Sequence, residues 1–306
     1  MVSNTPGLLY VPNLAGNIFF IAFFSIALAA QLFLSIKTKT WGFLAAIVGA
    51  LLLEILGYIG RIGLHNNTDS HNGFLMYLIS LTIAGAFYAA SIYVTLAHIV
   101  VVFGEHISRV RPRTYTIVFM SCDFFSLLLQ AIGGAIASSA DTQKLSQLGV
   151  HIMIAGLSTQ VFSLIVFIVL ALEFAWRAYK ADHFDPKAAD LRRSLYFRSF
   201  IFALGLGTLT LFIRSVFRVA ELSEGYDGAL ANDEITFMTL EGTMIAITTL
   251  CLTIFHPGVS FQGRWKDGDF SLRAKKNVTS ADIQEQKRAS GTSSPLDENV
   301  VGMVPK

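Results

Sequence analysis

The stretch from Gly16 to Ile36 reads GNIFFIAFFSIALAAQLFLSI and holds no charged residue in its 21 positions. A helix of about 20 mostly apolar residues crosses a hydrocarbon layer roughly 30 Å thick, so this stretch predicts a membrane span. No Lys or Arg precedes it, and it is longer than the apolar core of a signal peptide. We therefore expect it to stay in the mature protein as a first transmembrane helix.

Six further apolar stretches of similar length follow along the chain. Apolar residues make up 53% of the 306 positions and charged residues 14%, a composition that is typical of membrane proteins and not of soluble domains. The seven expected spans are Gly16 to Ile36, Trp41 to Gly63, Phe74 to Phe103, Tyr115 to Ala137, Gly149 to Trp176, Phe197 to Ala220 and Ile235 to Phe255. The sequence therefore predicts an all-α membrane protein, a bundle of seven transmembrane helices.

Basic residues are divided unevenly between the two sides of this bundle. The first, third and fifth connections hold eleven Lys and Arg residues and the tail after Phe255 holds eight, whereas the opposite side has only Lys144. Since cytosolic loops are enriched in Lys and Arg, we expect the N-terminus outside and the C-terminus in the cytosol.

This orientation predicts three regions. They are a short extracellular N-terminus over residues 1–15, a transmembrane domain over residues 16–258, and a disordered, Ser-rich cytosolic tail over residues 259–306. Asn66 begins an Asn-Asn-Thr sequon on the outer side and is a weak candidate for glycosylation.

Charged residues inside the expected spans point to a site, because each costs at least about 2.5 to 3.5 kcal/mol and needs a partner, a cavity or water. They are Glu54 and Arg61, on one face of the second helix with Tyr58, then Arg214, Arg218 and Glu221 in the sixth helix and Glu241 in the seventh. In the expected orientation, these charges lie in the outer half of the membrane, and their three arginines and three glutamates balance. We expect a paired network that lines a polar cavity opening outward.

A purely structural role is the alternative for these charges, which can also hold helices in register. It fits Arg218 and Glu221 best, because side chains three residues apart on one helix can pair with each other. Asp123 and Gln130, seven residues apart on one face of the fourth helix, either belong to a site or join helices by a hydrogen bond.

Two histidines are weak candidates for binding haem or a metal. His98 lies in the third helix and His151 at the start of the fifth, but no spacing typical of ligands accompanies them, so a packing role is the alternative. We expect no cofactor and no enzymatic activity, and no phosphate-binding loop for ATP occurs. A retinal protein is excluded, because no expected helix contains the lysine that a Schiff base needs.

Motifs in five helices, the last outer loop and the end of the last span form one combined pattern. They are Glu54-x-x-Gly57-Tyr58-x-x-Arg61, Ala90-Ser91-Ile92-Tyr93, Asp123-x-x-Ser126-x-x-x-Gln130-x-x-Gly133-Gly134, Gly156-Leu157-x-x-Gln160, Arg214-x-x-x-Arg218-x-x-Glu221 with Gly225, then Glu234 and His256-Pro257-Gly258. The pattern spans about residues 15 to 260 and resembles the fungal lipid-translocating exporter family, also called resistance-to-aminocholesterol proteins. Two positions depart from it, since His98 stands where the family usually has Arg and Glu241 where it more often has Asp.

The resemblance implies seven helices in a fungal plasma membrane, or alternatively a vacuolar membrane, and resistance to amphipathic lipids such as sphingoid long-chain bases and aminosterols. Membrane lipids or amphipathic small molecules are then the expected partners, and nucleic acid is not. The site that we expect comprises Glu54, Tyr58, Arg61, Asp123, Gln130, Gln160, Arg214, Arg218, Glu221 and Glu241.

Three functions stay open at this point. In the first, a lipid translocator, Glu54 and Glu241 attract an amine headgroup while Arg214 and Arg218 hold the carboxylates ionised. In the second, the same seven helices form a lipid receptor or sensor, since a fold does not fix a function. In the third, the protein binds haem or takes up porphyrin, as some relatives implied by the resemblance do.

Overall fold

The computed structural model describes residues 10–67, 70–103, 108–109, 111–139, 142–180, 194–223, 230, 233–261 and 265. The chain divides into two units, Met1–Phe270 and Ser271–Lys306, and every described residue belongs to the first. The helices are α1 Leu14–Thr38, α2 Trp41–Asn66, α3 His71–Phe103, α4 Pro112–Ser138, α5 Gln143–Lys180 and α6 Leu195–Ser223. The last span, α7, consists of Glu234–Phe237, the π-helical turn Met238–Thr243 and Met244–Ile254, and the short α8, Pro257–Ser260, follows it.

Seven helices are long and apolar enough to cross a membrane, which confirms the seven-helix prediction. No strand occurs among the described residues. The observed helices extend beyond the expected spans, because helix propensity and caps continue them past the apolar core. Asn13, for example, accepts a hydrogen bond from the Gly16 amide at the start of α1, and Pro112 occupies the first turn of α4.

The helices form a ring with α3 at its centre. Each helix contacts the next one in the chain, α7 returns to α1, and α3 also contacts α5 and α6. As a result 78% of the α3 span is buried inside the protein, compared with 28% of the α1 span. We call the end of the bundle where α1 begins the N-terminal face; α2, α4 and α6 end there.

Helices α4 and α5 approach each other closely through glycines. A Cβ atom on Gly133 would lie 2.6 Å from the Gly149 carbonyl oxygen, and one on Gly156 would lie 2.8 Å from Cγ of Gln130. Any side chain at these positions would push the two helices apart, as expected where small residues mediate membrane helix packing.

The His256-Pro257-Gly258 motif joins α7 to the first two helices. The imidazole of His256 accepts a hydrogen bond from the Gly258 amide and lies 2.9 Å from the Ser35 hydroxyl on α1, so it begins α8 and fixes it to the bundle. Phe261 and Trp265 are buried beyond it, Phe261 against Phe197 of α6 and Trp265 against His98 of α3. The rest of the tail predicted from residue 259 lies outside the described residues.

Candidate functional site

A buried charge cluster joins three helices near the centre of the bundle. Arg214 on α6 lies 2.5 Å from a carboxylate oxygen of Glu241 on α7 and 3.9 Å from one of Glu54 on α2. The same guanidinium donates a 2.6 Å hydrogen bond to the Leu81 carbonyl of α3. All three charged residues are at most 2% exposed. Three charges that are far apart in sequence therefore share one desolvated position.

Two local features of the backbone make this cluster possible. Glu241 lies in the π-helical turn of α7, which is one residue wider than an α-helical turn and is braced by the Thr243 hydroxyl, a donor to the Met238 carbonyl. On α3 the Arg214 guanidinium lies against Gly85, where a Cβ atom would overlap it. A wide turn and a missing side chain thus bring carboxylate and guanidinium together.

Tyr58 forms the wall of the cluster towards α1. Its ring stacks on Phe20 and Phe24, with ring centroids 5.0 and 5.8 Å apart. Gly242 lets α7 approach here, because a Cβ atom on it would lie 2.9 Å from the Tyr58 hydroxyl. The hydroxyl has no hydrogen-bond partner among the described residues, so it is available to a further group.

The charges of the cluster do not balance. Two carboxylates, Glu54 and Glu241, face one guanidinium, and one oxygen of each carboxylate has no hydrogen-bond partner among the described residues. An uncompensated charge in a buried site costs several kcal/mol. The cluster thus has a formal charge of −1, which one proton or one bound cation neutralises.

Arg218 and Glu221 form a separate pair nearer the N-terminal face. Nη1 of Arg218 and Oε2 of Glu221 lie 2.6 Å apart within α6. This is the pairing within one helix that the structural alternative for these two charges predicts. Arg218 also donates a 2.9 Å hydrogen bond to the Thr82 hydroxyl of α3. The pair therefore links α6 to α3 one turn away from Arg214.

Arg61 does not join the cluster, although Glu54 and Tyr58 share its face of α2. Its guanidinium lies 3.8 Å from the centroid of the Phe237 ring, donates 2.8 Å to the Tyr10 hydroxyl and lies 3.9 Å from Glu234. Burial raises the pKa of Tyr10 against the opposing effect of Arg61, so the hydroxyl stays neutral and accepts this hydrogen bond. Arg61 closes the N-terminal face by holding α2, α7 and the N-terminal segment together.

A pocket lies beside the cluster where α3, α5 and α6 meet. It is a small, partly open cavity of about 10 Å³, which is room for roughly one water molecule. The lining residues are Thr82, Leu157, Gln160, Val161, Arg214, Ser215 and Arg218. Glu54 and Glu241 are absent from this lining, and Arg214 is the residue shared by pocket and cluster. The expected cavity opening directly onto the carboxylates is therefore not the arrangement of this structure, which covers both.

Gln130 and Gln160 form a second polar group between α4 and α5. The side-chain amide of Gln130 donates a 3.3 Å hydrogen bond to Gln160, whose side chain reaches the pocket. Asp123 lies two turns from Gln130 on α4 and near Tyr93 of α3; it is 3% exposed and forms no ion pair among the described residues. The sequence identified these residues but not the position of Gln160 at the pocket.

The remaining candidates lie elsewhere. His98 bonds the Val94 carbonyl at 2.8 Å and stacks on Trp265 at 3.7 Å, while His151 is exposed on α5. In the part of the chain that the structure describes, no three His, Cys, Asp or Glu side chains are grouped as metal ligands. Asn66 is the exposed last residue of α2, and the sequon's Thr68 lies outside the described residues.

Several residues of the site carry no signal that the sequence analysis used. Gly85, Thr82 and Leu81 act through a missing side chain, a hydroxyl and a backbone carbonyl, all on α3. Tyr10 and Phe237 flank Arg61 from outside its helix. A search for small or hydroxyl residues on the central helix would have found Gly85 and Thr82, whereas the Leu81 carbonyl and the π-helical turn have no such pattern.

Comparison with known proteins identifies the family of this chain. The family described as RTA1 like protein matches residues 46–264, which include every charged residue of the cluster. The chain belongs to the RTA1-like family. Among RTA1-like proteins, the sphingoid long-chain base transporter RSB1 of Saccharomyces cerevisiae is 35% identical over 283 residues, covering 83% of this chain and 74% of the relative.

Two other RTA1-like relatives from Saccharomyces cerevisiae are more distant. Protein RTA1 is 26% identical over 81% of this chain and 84% of its own length, and Protein RTM1 is 26% identical over 72% and 69%. No solved structure matches the chain significantly. The family membership confirms the resemblance drawn from the motifs.

Proposed function

We propose that this protein translocates amphipathic lipids with a protonated amine headgroup, of the sphingoid long-chain base class, and so confers resistance to them. One observation carries the proposal: the buried cluster of Glu54, Arg214 and Glu241 has one negative charge more than it can balance. The relative at 35% identity that is named a sphingoid long-chain base transporter supports it.

Charge is the basis for selecting the ligand. An amine of charge +1 brought to Glu54 and Glu241 makes the group neutral and gives hydrogen-bond donors to the carboxylate oxygens that have no partner. Without a bound ligand, the cluster of Glu54, Arg214 and Glu241 becomes neutral when one of its carboxylates binds a proton. A neutral lipid offers no such compensation, so the cluster should discriminate between an amine and its acylated form.

The lining of the pocket has the chemistry to contact the rest of the headgroup, although the pocket must widen to admit it, because its volume is only about 10 Å³. A sphingoid base carries hydroxyl groups beside its amine, and Thr82, Ser215 and Gln160 line the pocket with hydroxyl and amide groups. Leu157 and Val161 of α5 contribute apolar surface for the first carbons of the chain. The long hydrocarbon body can remain in the membrane.

Arg214 has the position of a gate. It lines the pocket on one side and pairs with Glu241 on the other, so an amine in the pocket reaches the carboxylates when this guanidinium moves. Exchange of one cation for another at Glu241 keeps the buried charge constant, which lowers the cost of passage through a desolvated site.

The distribution of basic residues favours an orientation for this process. It supports an N-terminal face outside the cell and a cytosolic C-terminus, with Arg61 and the charge cluster in the outer half of the membrane. We propose the plasma membrane as the location, and movement of the lipid without chemical change.

The test uses purified full-length protein in liposomes and a fluorescent sphingoid base. Its matched control is the same molecule with an N-acetyl group, which removes the positive charge and keeps the chain. We expect several-fold faster translocation of the amine than of the acetylated lipid. Equal rates would refute charge selection, and specific binding of the amine without movement would make the protein a sensor.

A further inference from the structure

A buried polar seam runs along α4 apart from the charge cluster. Thr116, Asp123, Ser126 and Gln130 follow at intervals of seven, three and four residues, which places them on one helical face. Each is at most 6% exposed. From Thr116 to Gln130 the seam measures about 21 Å, or most of the thickness of a hydrocarbon core.

Thr116, Ser126 and Gln130 each have an oxygen without a hydrogen-bond partner among the described residues. The Asp123 carboxyl lies within hydrogen-bonding reach of the Tyr93 hydroxyl of α3, which in turn lies within reach of the Ser163 hydroxyl of α5. Buried polar groups are almost always satisfied, by protein or by ordered water. A row of such oxygens therefore suits water and protons better than it suits packing.

Asp123 is the one acidic group of this seam. The titratable group that faces it is Tyr93 on α3, and Tyr93 is in turn near Cys122 of α4 and the Ser163 hydroxyl of α5. No Lys, Arg or His pairs with Asp123 among the described residues. An ionised carboxylate in this position would have no compensating charge, whereas a neutral carboxyl can donate to a hydroxyl or to water.

The seam is too narrow for a lipid headgroup. At Gly133, Gly149 and Gly156 the helices α4 and α5 are so close that a single added carbon would lie within 3 Å of the opposite helix. The species that can follow the seam is therefore small.

The seam ends at the pocket. Gln130 donates to Gln160, and Gln160 lines the same pocket as Arg214 and Arg218. At the other end, Thr116 lies about one turn from the start of α4 at Pro112, on the side opposite the N-terminal face. The row of oxygens thus links that side of the bundle with the pocket.

We propose that this seam is a proton path and that Asp123 is its proton-binding group. The path delivers or removes the proton that balances the charge cluster when an amine arrives or leaves, a coupling that rests on the proposed function. The binding of a proton at Asp123 does not depend on the proposed function.

Infrared difference spectra of the purified full-length protein test the proton site directly. A protonated carboxyl gives a C=O stretching band that ionised carboxylates lack, and deuterium exchange shifts it. We expect Asp123→Asn to remove one such band at neutral pH, and Tyr93→Phe to shift the same band. The control Ser121→Ala, on the exposed side of α4, should leave it unchanged. An unaltered band pattern in Asp123→Asn would overturn the proposal.

The coupling is tested in liposomes with an imposed pH gradient. For the unaltered protein we expect the gradient to change amine-lipid translocation several-fold, and for Asp123→Asn we expect the rate not to respond to it. Ser163→Ala offers a milder variant, expected to weaken the response, if Asp123→Asn fails to fold. Equal responses in all variants would contradict the path. Absence of translocation in every sample, with the infrared band present, would instead refute the proposed function.

Discussion

Arg214 and Glu241 lie 2.5 Å apart on adjacent helices, separated by 27 residues of sequence. Glu54 approaches the same guanidinium at 3.9 Å, so one positive charge serves two carboxylates. Buried ion pairs contribute little net stability, so this unbalanced group is better suited to binding a cation than to holding the helices together.

Removing Arg214 should destabilise the protein strongly. Arg214→Gln leaves Glu54 and Glu241 without their counter-charge, and breaking a buried pair costs about 3 to 5 kcal/mol. The double variant Arg214→Gln with Glu241→Gln should regain most of this loss, because one of the two carboxylates is then neutral. Thermal unfolding in detergent measures both, with Ser215→Ala as a control expected within about 1 kcal/mol of the unaltered protein. A double variant no more stable than the single one would contradict this account.

Gly85→Ala should displace the Arg214 guanidinium, because the added Cβ occupies its position on α3. We expect a lower unfolding temperature and several-fold slower amine-lipid translocation. Gly205→Ala is the matched control on α6, where a Cβ meets no atom within 4 Å. A helical alanine there should be neutral or stabilising by about 0.5 to 1 kcal/mol. Similar effects of the two substitutions would show that Gly85 has no special role.

Arg61→Lys should weaken the N-terminal face although it keeps the charge. Lysine has no flat guanidinium, so it cannot stack on Phe237 while donating to both Tyr10 and Asn17 as Arg61 does. We expect a loss of about 1 to 3 kcal/mol in unfolding free energy. Arg177→Lys, at a partly exposed pair with Glu173 within one helix, should change the unfolding free energy by less than about 0.5 kcal/mol. Equal effects would mean that only the charge of Arg61 matters.

Deleting Thr239 should convert the π-helical turn of α7 into an ordinary helical turn. The extra residue of a π-helical turn is accommodated locally, so its removal leaves the register of the flanking segments unchanged but shifts the side chains of the turn itself, and Glu241 no longer meets Arg214. We expect a folded protein that has lost most amine-lipid translocation. Thr239→Ala, which keeps the turn and alters an exposed side chain, should retain it. Full activity after the deletion would show that the turn does not position the site.

Much of the fold could be read from the sequence, because spanning a hydrocarbon core demands long apolar runs. The cost of charge in lipid also pointed to Glu54, Arg214 and Glu241, and the structure brings these three residues together. The sequence could not predict that Arg61 contacts Phe237 and not the cluster around Glu54, because residues on one helical face need not share a partner. That choice depends on where α7 lies, which only the packing of all helices determines.

Other features of the site have no local pattern at all. The π-helical turn lies where Glu241 contacts Arg214 of α6 and Gly242 contacts Tyr58, and both contacts depend on the position of distant helices. Gly85 contributes only the absence of a side chain, which leaves room for the Arg214 guanidinium. We expected an outward-opening cavity, but both carboxylates are covered in the structure. This covering depends on how the helices pack around Arg214, which the sequence does not reveal.

The most direct test of the central claim is the selectivity of Glu54→Gln. Translocation of the sphingoid base and of its N-acetyl form is measured side by side in liposomes, with Glu173→Gln as a control that removes a carboxylate outside the cluster. Because Glu54→Gln removes the excess negative charge, we expect the preference for the amine to fall to near unity, while Glu173→Gln keeps it. An unchanged preference in Glu54→Gln would contradict the claim that this charge selects the amine.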